Sequence, residues 1–127
     1  MPPAVLIVDD DPPLLGLLKT LLRRNGDWDI VTCRDGEEAI RELAARHFDV
    51  VLLDLMMPRR NGFDVIDYLR EHRPHQLSVV LVLSAATSDF TQRVDPSVVH
   101  AIVDKPFETG ALLALVRNII GAAAEPV

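Results

Sequence analysis

Five polar residues close the apolar runs of this chain: Asp9 and Asp10 follow Val8, Asp54 follows Leu53, Ser84 follows Leu83, and Lys105 stands just past Val103. Brought together, the three carboxylates would repel one another and hold their protons more tightly unless a cation neutralised them. An all-oxygen set with no His or Cys among it selects Mg²⁺ or a similarly hard ion. A lysine opposite such an ion completes a clamp for a phosphoryl group, with the Ser84 hydroxyl as a donor to another of its oxygens. Asp54 is then the carboxylate left to attack.

These residues can meet only if the elements carrying them end at one place. The short apolar runs Ala4 to Val8, Ile30 to Cys33, Val50 to Leu53, Val79 to Leu83 and Ala101 to Val103 show no in-and-out alternation, as expected of strands buried on both faces of a parallel sheet. Helical patterns lie between them. Asp11 before Pro12 reads as an N-cap rather than a ligand, opening a helix whose Leu14, Leu17, Leu18, Leu21 and Leu22 repeat at helical spacing until Gly26. Asp35 and Glu38 make a capping-box pattern ahead of Ala39, Ile40 and Leu43. A third helix is expected from about Phe63 to His72, stopped by Pro74. The fourth, over Asp89 to Val94, is short and polar, and Asp95-Pro96 ends it. The last begins near Glu108 with Leu112, Leu115, Val116 and Ile119 on one stripe, and Gly121 is its expected C-cap. Five strands interleaved with five helices indicate a single right-handed, doubly wound α/β domain. It is expected over residues 1–121, with 122–127 a frayed tail.

Composition removes other classes. The 127 residues are 49% hydrophobic and 25% charged, the balance of a globular domain with one core. Thirteen Lys plus Arg against 19 Asp plus Glu give a net charge of -6, without the basic footprint of a nucleic-acid or anionic-membrane binder. Met1-Pro2-Pro3 has no positive n-region, and no apolar run reaches the roughly 20 residues of a membrane span. A cytoplasmic protein is expected. Lone Cys33 is read as core, and His47, His72, His75 and His100 share no metal-like spacing. Trp28 is read as cover for a sheet edge near the second strand, and Arg59 and Arg60 as a solvated pair at the site mouth.

Four motifs, in order, carry a resemblance. Val5-Leu6-Ile7-Val8-Asp9-Asp10-Asp11-Pro12, then Asp54-Leu55-Met56-Met57-Pro58 with Asn61-Gly62, then Ser84-Ala85, then Lys105-Pro106-Phe107 resemble the receiver domain of bacterial two-component response regulators. The separations of 44 residues from Asp10 to Asp54, 30 to Ser84 and 21 to Lys105 are similar to that family's. The resemblance implies a flavodoxin-like (βα)5 fold of strand order 2-1-3-4-5. It also implies that Asp54 accepts a phosphoryl group from a sensor histidine kinase or phosphotransfer protein, making an acyl phosphate that is lost slowly, so that the domain is a signalling unit and not an enzyme. Asp9, Asp10, Asp54 and the backbone carbonyl of Met56 would ligate Mg²⁺, Lys105 would pair with the phosphoryl group, and Ser84 would hydrogen-bond it. A cis Lys105-Pro106 bond is also implied.

The output half departs from the family. Ile102 stands where receivers commonly carry an aromatic switch, and Val98-Val99 replaces the usual Gly-Ala. Output is therefore expected through a reshaped fourth helix and loop. Met56 and Ala86 offer no polar group to orient an attacking water, which predicts slow loss of phosphate. An apolar patch on the fourth and fifth helices would support a homodimer. Both a stand-alone domain and a part of a longer regulator fit this reading. One competing reading is a phosphorylation-independent protein-binding module. Another is a small haloacid-dehalogenase-type phosphatase, whose nucleophile motif Asp9-x-Asp11 mimics but whose final acidic pair has only Glu108 and Glu125 to supply it.

Overall fold

A strand with apolar residues on both faces needs cover on both, and the three strongest apolar runs take the middle of the sheet. In the computed structural model, which describes residues 2–57, 59–85 and 94–124, β1 (Ala4–Val8), β3 (Val50–Asp54) and β4 (Val80–Ala85) are central. The edges are β2 (Asp29–Cys33) and β5 (Ala101–Lys105), both only half-buried. All five strands are parallel in the order β2-β1-β3-β4-β5. The expected doubly wound, flavodoxin-like architecture is therefore present.

Alternation along each strand divides the core. Leu6, Val8, Val51, Leu53, Val80 and Val82 point to one side, under α2 (Gly36–Ala45) and α3 (Gly62–His72). Val5, Ile7, Val50, Leu52, Leu81 and Leu83 point to the other, under α1 (Pro12–Asn25) and α4 (Thr109–Ala124). The register sets the level of each strand end. Val8 lies opposite Leu53, Asp54 opposite Leu83, and Ser84 opposite Asp104. Asp54, Ser84 and Lys105 are thus within their strands, one residue or more beyond the apolar runs that predicted them.

The helices hold several corrections. Pro12 opens α1 and Asp11 occupies the N-cap position, but its carboxylate makes no capping bond. Leu15, Leu18 and Leu22 form the buried stripe of α1, whereas Leu17, expected in it, is 52% exposed. At 100° per residue Leu17 lies roughly a third of a turn from the stripe's centre, too far to reach the core. Asp35 does cap α2 through the Glu38 N–H at 2.9 Å, but the Glu38 carboxylate reaches the N–H of Arg34, at 3.2 Å, so the expected reciprocal box is only half made. The complete box belongs to Asn61 and Asp64 at the start of α3. Pro74 ends α3 and opens a 3₁₀ helix (Pro74–Val79) absent from the sequence reading. The buried amide of Gln76 there spans the N–H and C=O of Phe48 at 3.0 and 2.7 Å.

The last helix passes through Gly121, the expected stop, to Ala124. A glycine inside a helix costs only roughly 1 kcal/mol relative to alanine, and the three residues that follow are alanines, the best helix formers. Leu113, not expected in its stripe, is buried, while Leu115 only flanks it. The fourth helix expected over Asp89 to Val94 falls, apart from Val94, outside the described residues. Val94 itself is buried, and Asp95-Pro96 forms a turn in which the Asp95 carboxylate accepts from the N–H and hydroxyl of Ser97 at 2.9 and 2.7 Å. Among the described residues no helix is long and apolar enough to cross a membrane.

Candidate functional site

Parallel strands end their C-termini on one rim, and in an open sheet of this order ligands bind where the winding reverses. Here the reversal lies between β1 and β3, the two strands that present Asp9 and Asp54. Asp9, just past β1, is buried. Its Oδ1 accepts the N–H of Asp11 at 3.0 Å, and its Oδ2 lies 3.0 Å from Lys105 Nζ. Asp54, the last residue of β3, is 6% exposed. Its Oδ1 is 3.5 Å from Lys105 Nζ and accepts a long bond, 3.4 Å, from the N–H of Met56. Exposed Asp10 completes the group: Asp9, Asp10 and Asp54 each offer an oxygen within 4.8 Å of the others. Asp11 stays outside it, exposed, as its place before Pro12 predicts.

The electrostatics follow from this crowding. Burial, and then the neighbouring Asp9 charge, push the Asp54 carboxyl up to about 6 from 3.8, against the opposing pull of Lys105 and the Met56 N–H. Burial alone would draw the Lys105 ammonium down. The Asp9 hydrogen bond and the charges of Asp54 and Asp9 more than offset it, and its pKa lies above that of an ordinary lysine. One lysine thus partly neutralises three close carboxylates. A hard, oxygen-binding divalent cation fits this donor set, because it would supply the charge that burial withholds. Ser84 is buried at the end of β4 on the same rim.

Local structure explains why the chain can turn here. Gly62 brings the start of α3 back onto the end of β3: its N–H donates to Leu55 O at 2.9 Å, and a β-carbon there would lie 2.5 Å from the Asp54 carbonyl oxygen. The Lys105-Pro106 bond is cis, as the resemblance implied. The Met56 side chain is 51% exposed beside the site, and Ala86 lies outside the described residues. Ile102 and Val98 are half-buried against the core under α2 and α3, where Val99 is buried.

Sequence reasoning missed one feature. Arg59, read as solvated, places Nε 3.1 Å from Oδ2 of Asp35, which was read only as a cap. Nothing in local spacing joins two residues on separate loops. The remaining singular residues are structural. The Cys33 thiol is buried, and burial followed by Glu38, Glu42 and Asp35 pushes it up to about 12. Trp28 packs half-buried against the α1 side, where a β-carbon on Gly26 would collide with its ring. His47 and His75 stack at 6.3 Å, and among the described residues no histidine joins a potential metal cluster.

Comparison with known proteins agrees with this geometry. The family model described as the response regulator receiver domain matches residues 5–117. The transcriptional regulatory protein CpxR of Escherichia coli (strain K12) is 36% identical over 117 residues, covering 91% of this chain and 48% of that protein. The chain spans about half the length of the relatives it matches. The Francisella response regulator 1452 receiver domain has a TM-score of 0.81 at 27% identity, over 95% of this chain and 98% of that one. The receiver domain of sensor histidine kinase PA1611 from Pseudomonas aeruginosa PAO1, with a magnesium ion coordinated in its active site cleft, scores 0.82 at 20% identity over 95% and 99% of the two chains, a likeness of fold.

Proposed function

Because this chain belongs to the response regulator receiver domain family, we propose that it accepts a phosphoryl group on the Asp54 carboxylate from the phosphohistidine of a sensor histidine kinase. The observation that carries this reading is the Lys105 ammonium set 3.0 Å from Asp9 and 3.5 Å from Asp54, within a group of three carboxylates. A carboxylate oxygen of Asp54 forms the new O–P bond as the P–N bond to the donor imidazole breaks, and the leaving imidazole takes up a proton.

Asp9, Asp10, Asp54 and the backbone carbonyl of Met56 would hold Mg²⁺, which when bound supplies positive charge against the carboxylates and the phosphoryl oxygens. The magnesium coordinated in the active site cleft of the PA1611 receiver domain, which shares this fold, supports a divalent ion here. Lys105 pairs with a phosphoryl oxygen, which replaces a contact it already makes to Asp54. The Ser84 hydroxyl donates to another oxygen and draws in the end of β4, turning charge into movement. With exposed, apolar Met56 beside the site, water is poorly oriented and the acyl phosphate persists, as a signal requires.

The test is intact-protein mass after incubation with Mg²⁺ and acetyl phosphate, beside Asp54→Ala and a chelator control. One added phosphoryl group, lost in both controls, is expected. No adduct despite demonstrated Mg²⁺ binding would replace this reading with a phosphorylation-independent binding module.

A further inference from the structure

Arg59 and Arg60, which precede α3, are fastened to the start of α2. Arg59 Nε lies 3.1 Å from Asp35 Oδ2. Beside it the Gly36 N–H donates to the Arg60 carbonyl at 2.8 Å, so closely that a β-carbon on Gly36 would collide with that oxygen. The two partners are unequal. Asp35 is buried, with one oxygen engaged by the Glu38 N–H, so its charge needs a counterion. Arg59 is 72% exposed in its side chain yet has φ 60, a left-handed conformation that crowds the β-carbon of any residue but glycine. A residue held there by an ion pair to a buried carboxylate is the kind of backbone outlier from which a functional role can be inferred.

The pair also borders one member of the site. A cleft of about 280 Å³ is lined by Asp10, Arg34, Asp35, Glu38 and Arg59, so the Asp35–Arg59 contact shares a wall with Asp10. Three residues before Arg59, the Met56 N–H meets Asp54 at 3.4 Å, a distance with little to spare. A small displacement of Met56 would lose that contact.

We propose that the Asp35–Arg59 ion pair is a latch that positions the exit of β3 against the carboxylate group, and so sets its affinity for a divalent cation and the readiness of Asp54 to be phosphorylated. This rests on the reading of Asp54 given above. Arg59 is a positioning residue: it acts through the backbone of Met56 and touches neither cation nor phosphoryl group.

The full chain is tested as Arg59→Ala, Arg59→Lys, Asp35→Asn and the Arg59→Ala/Asp35→Asn double variant. Asp35→Asn keeps the oxygen that caps α2 and removes the charge. The readouts are calorimetric Mg²⁺ titration and hydrogen exchange of the Met56 and Met57 amides without metal. Expected are a Kd for Mg²⁺ about tenfold weaker in Arg59→Ala and Asp35→Asn, as for other outer-shell positions. The double variant should be no weaker than either single, Arg59→Lys should recover most of the affinity, and exchange should be faster wherever the pair is broken. Unchanged Kd and exchange in Arg59→Ala would overturn the latch. A defect in Asp35→Asn alone would assign the effect to the helix cap and overturn it equally. Metal-free exchange reads the latch without phosphorylation, so failure of Asp54 to be phosphorylated would sink the function and leave this result standing.

Discussion

Lys105 reaches Asp9 at 3.0 Å and Asp54 at 3.5 Å, so its shorter contact is with Asp9 and not with the proposed phosphoacceptor. Before any ligand binds, the lysine serves as the counterion of the buried Asp9. Its removal therefore has a structural consequence as well as a chemical one.

Lys105→Met should lower metal-free stability by about 1 to 3 kcal/mol, at or below the range for breaking a fully buried pair, because the Asp9 charge loses its partner while Lys105 is itself partly exposed. The same change removes a cation that competes for the site, so Mg²⁺ should restore more stability to the variant than it adds to the parent. Urea unfolding with and without Mg²⁺ measures both. An equal gain in the two proteins would contradict the prediction.

The raised pKa of Asp54 makes stability depend on pH in a stated direction. The folded chain holds this proton up to about pH 6 and the unfolded chain only to 3.8. The stability that the protonated group contributes is thus present in full below pH 3.8 and is lost as pH rises toward 6. The loss approaches about 3 kcal/mol. Asp54→Asn should be nearly as stable as the parent at pH 4 and more stable at pH 7, in urea unfolding without divalent ions. Mg²⁺ affinity of the parent should fall as pH drops below 6, because the cation then competes with a proton. Parallel stability profiles for parent and variant would refute the assignment.

Met56→Asn should speed decay of the acyl phosphate several-fold, because an amide 51% exposed beside the site can orient water where a thioether cannot. Loss of the mass adduct over time, after removal of the donor, is the readout. Unchanged decay would point to another cause of persistence.

Two helical glycines meet nothing within 4 Å of an added β-carbon: Gly16 in α1 and Gly121 in α4. Each change to Ala should stabilise by about 0.5 to 1 kcal/mol. Gly62→Ala should do the reverse and also weaken Mg²⁺ binding, because its β-carbon would press on the Asp54 carbonyl at 2.5 Å. Thermal unfolding of the three variants makes the comparison.

The amino-acid sequence by itself placed the five strands and the helices α1 to α4, because burial on both faces demands continuous apolar runs and a helix repeats every 3.6 residues. It also marked Asp9, Asp10, Asp54, Ser84 and Lys105, since a polar residue closing a buried run has few other uses. Strand order came from resemblance and not from periodicity. Faces, partners and levels were decided only by the tertiary structure. Leu17 reads into the same stripe as Leu18, yet packing of α1 against the sheet buries one and exposes the other. Glu38 follows the spacing of a capping box, yet its carboxylate turns to Arg34. Asp35 and Arg59 belong to loops that follow β2 and β3, strands that are not even neighbours in the sheet. Local spacing reflects the backbone's own repeat. A contact between distant loops depends on the register and closure of the elements beneath them, which no single stretch of sequence contains.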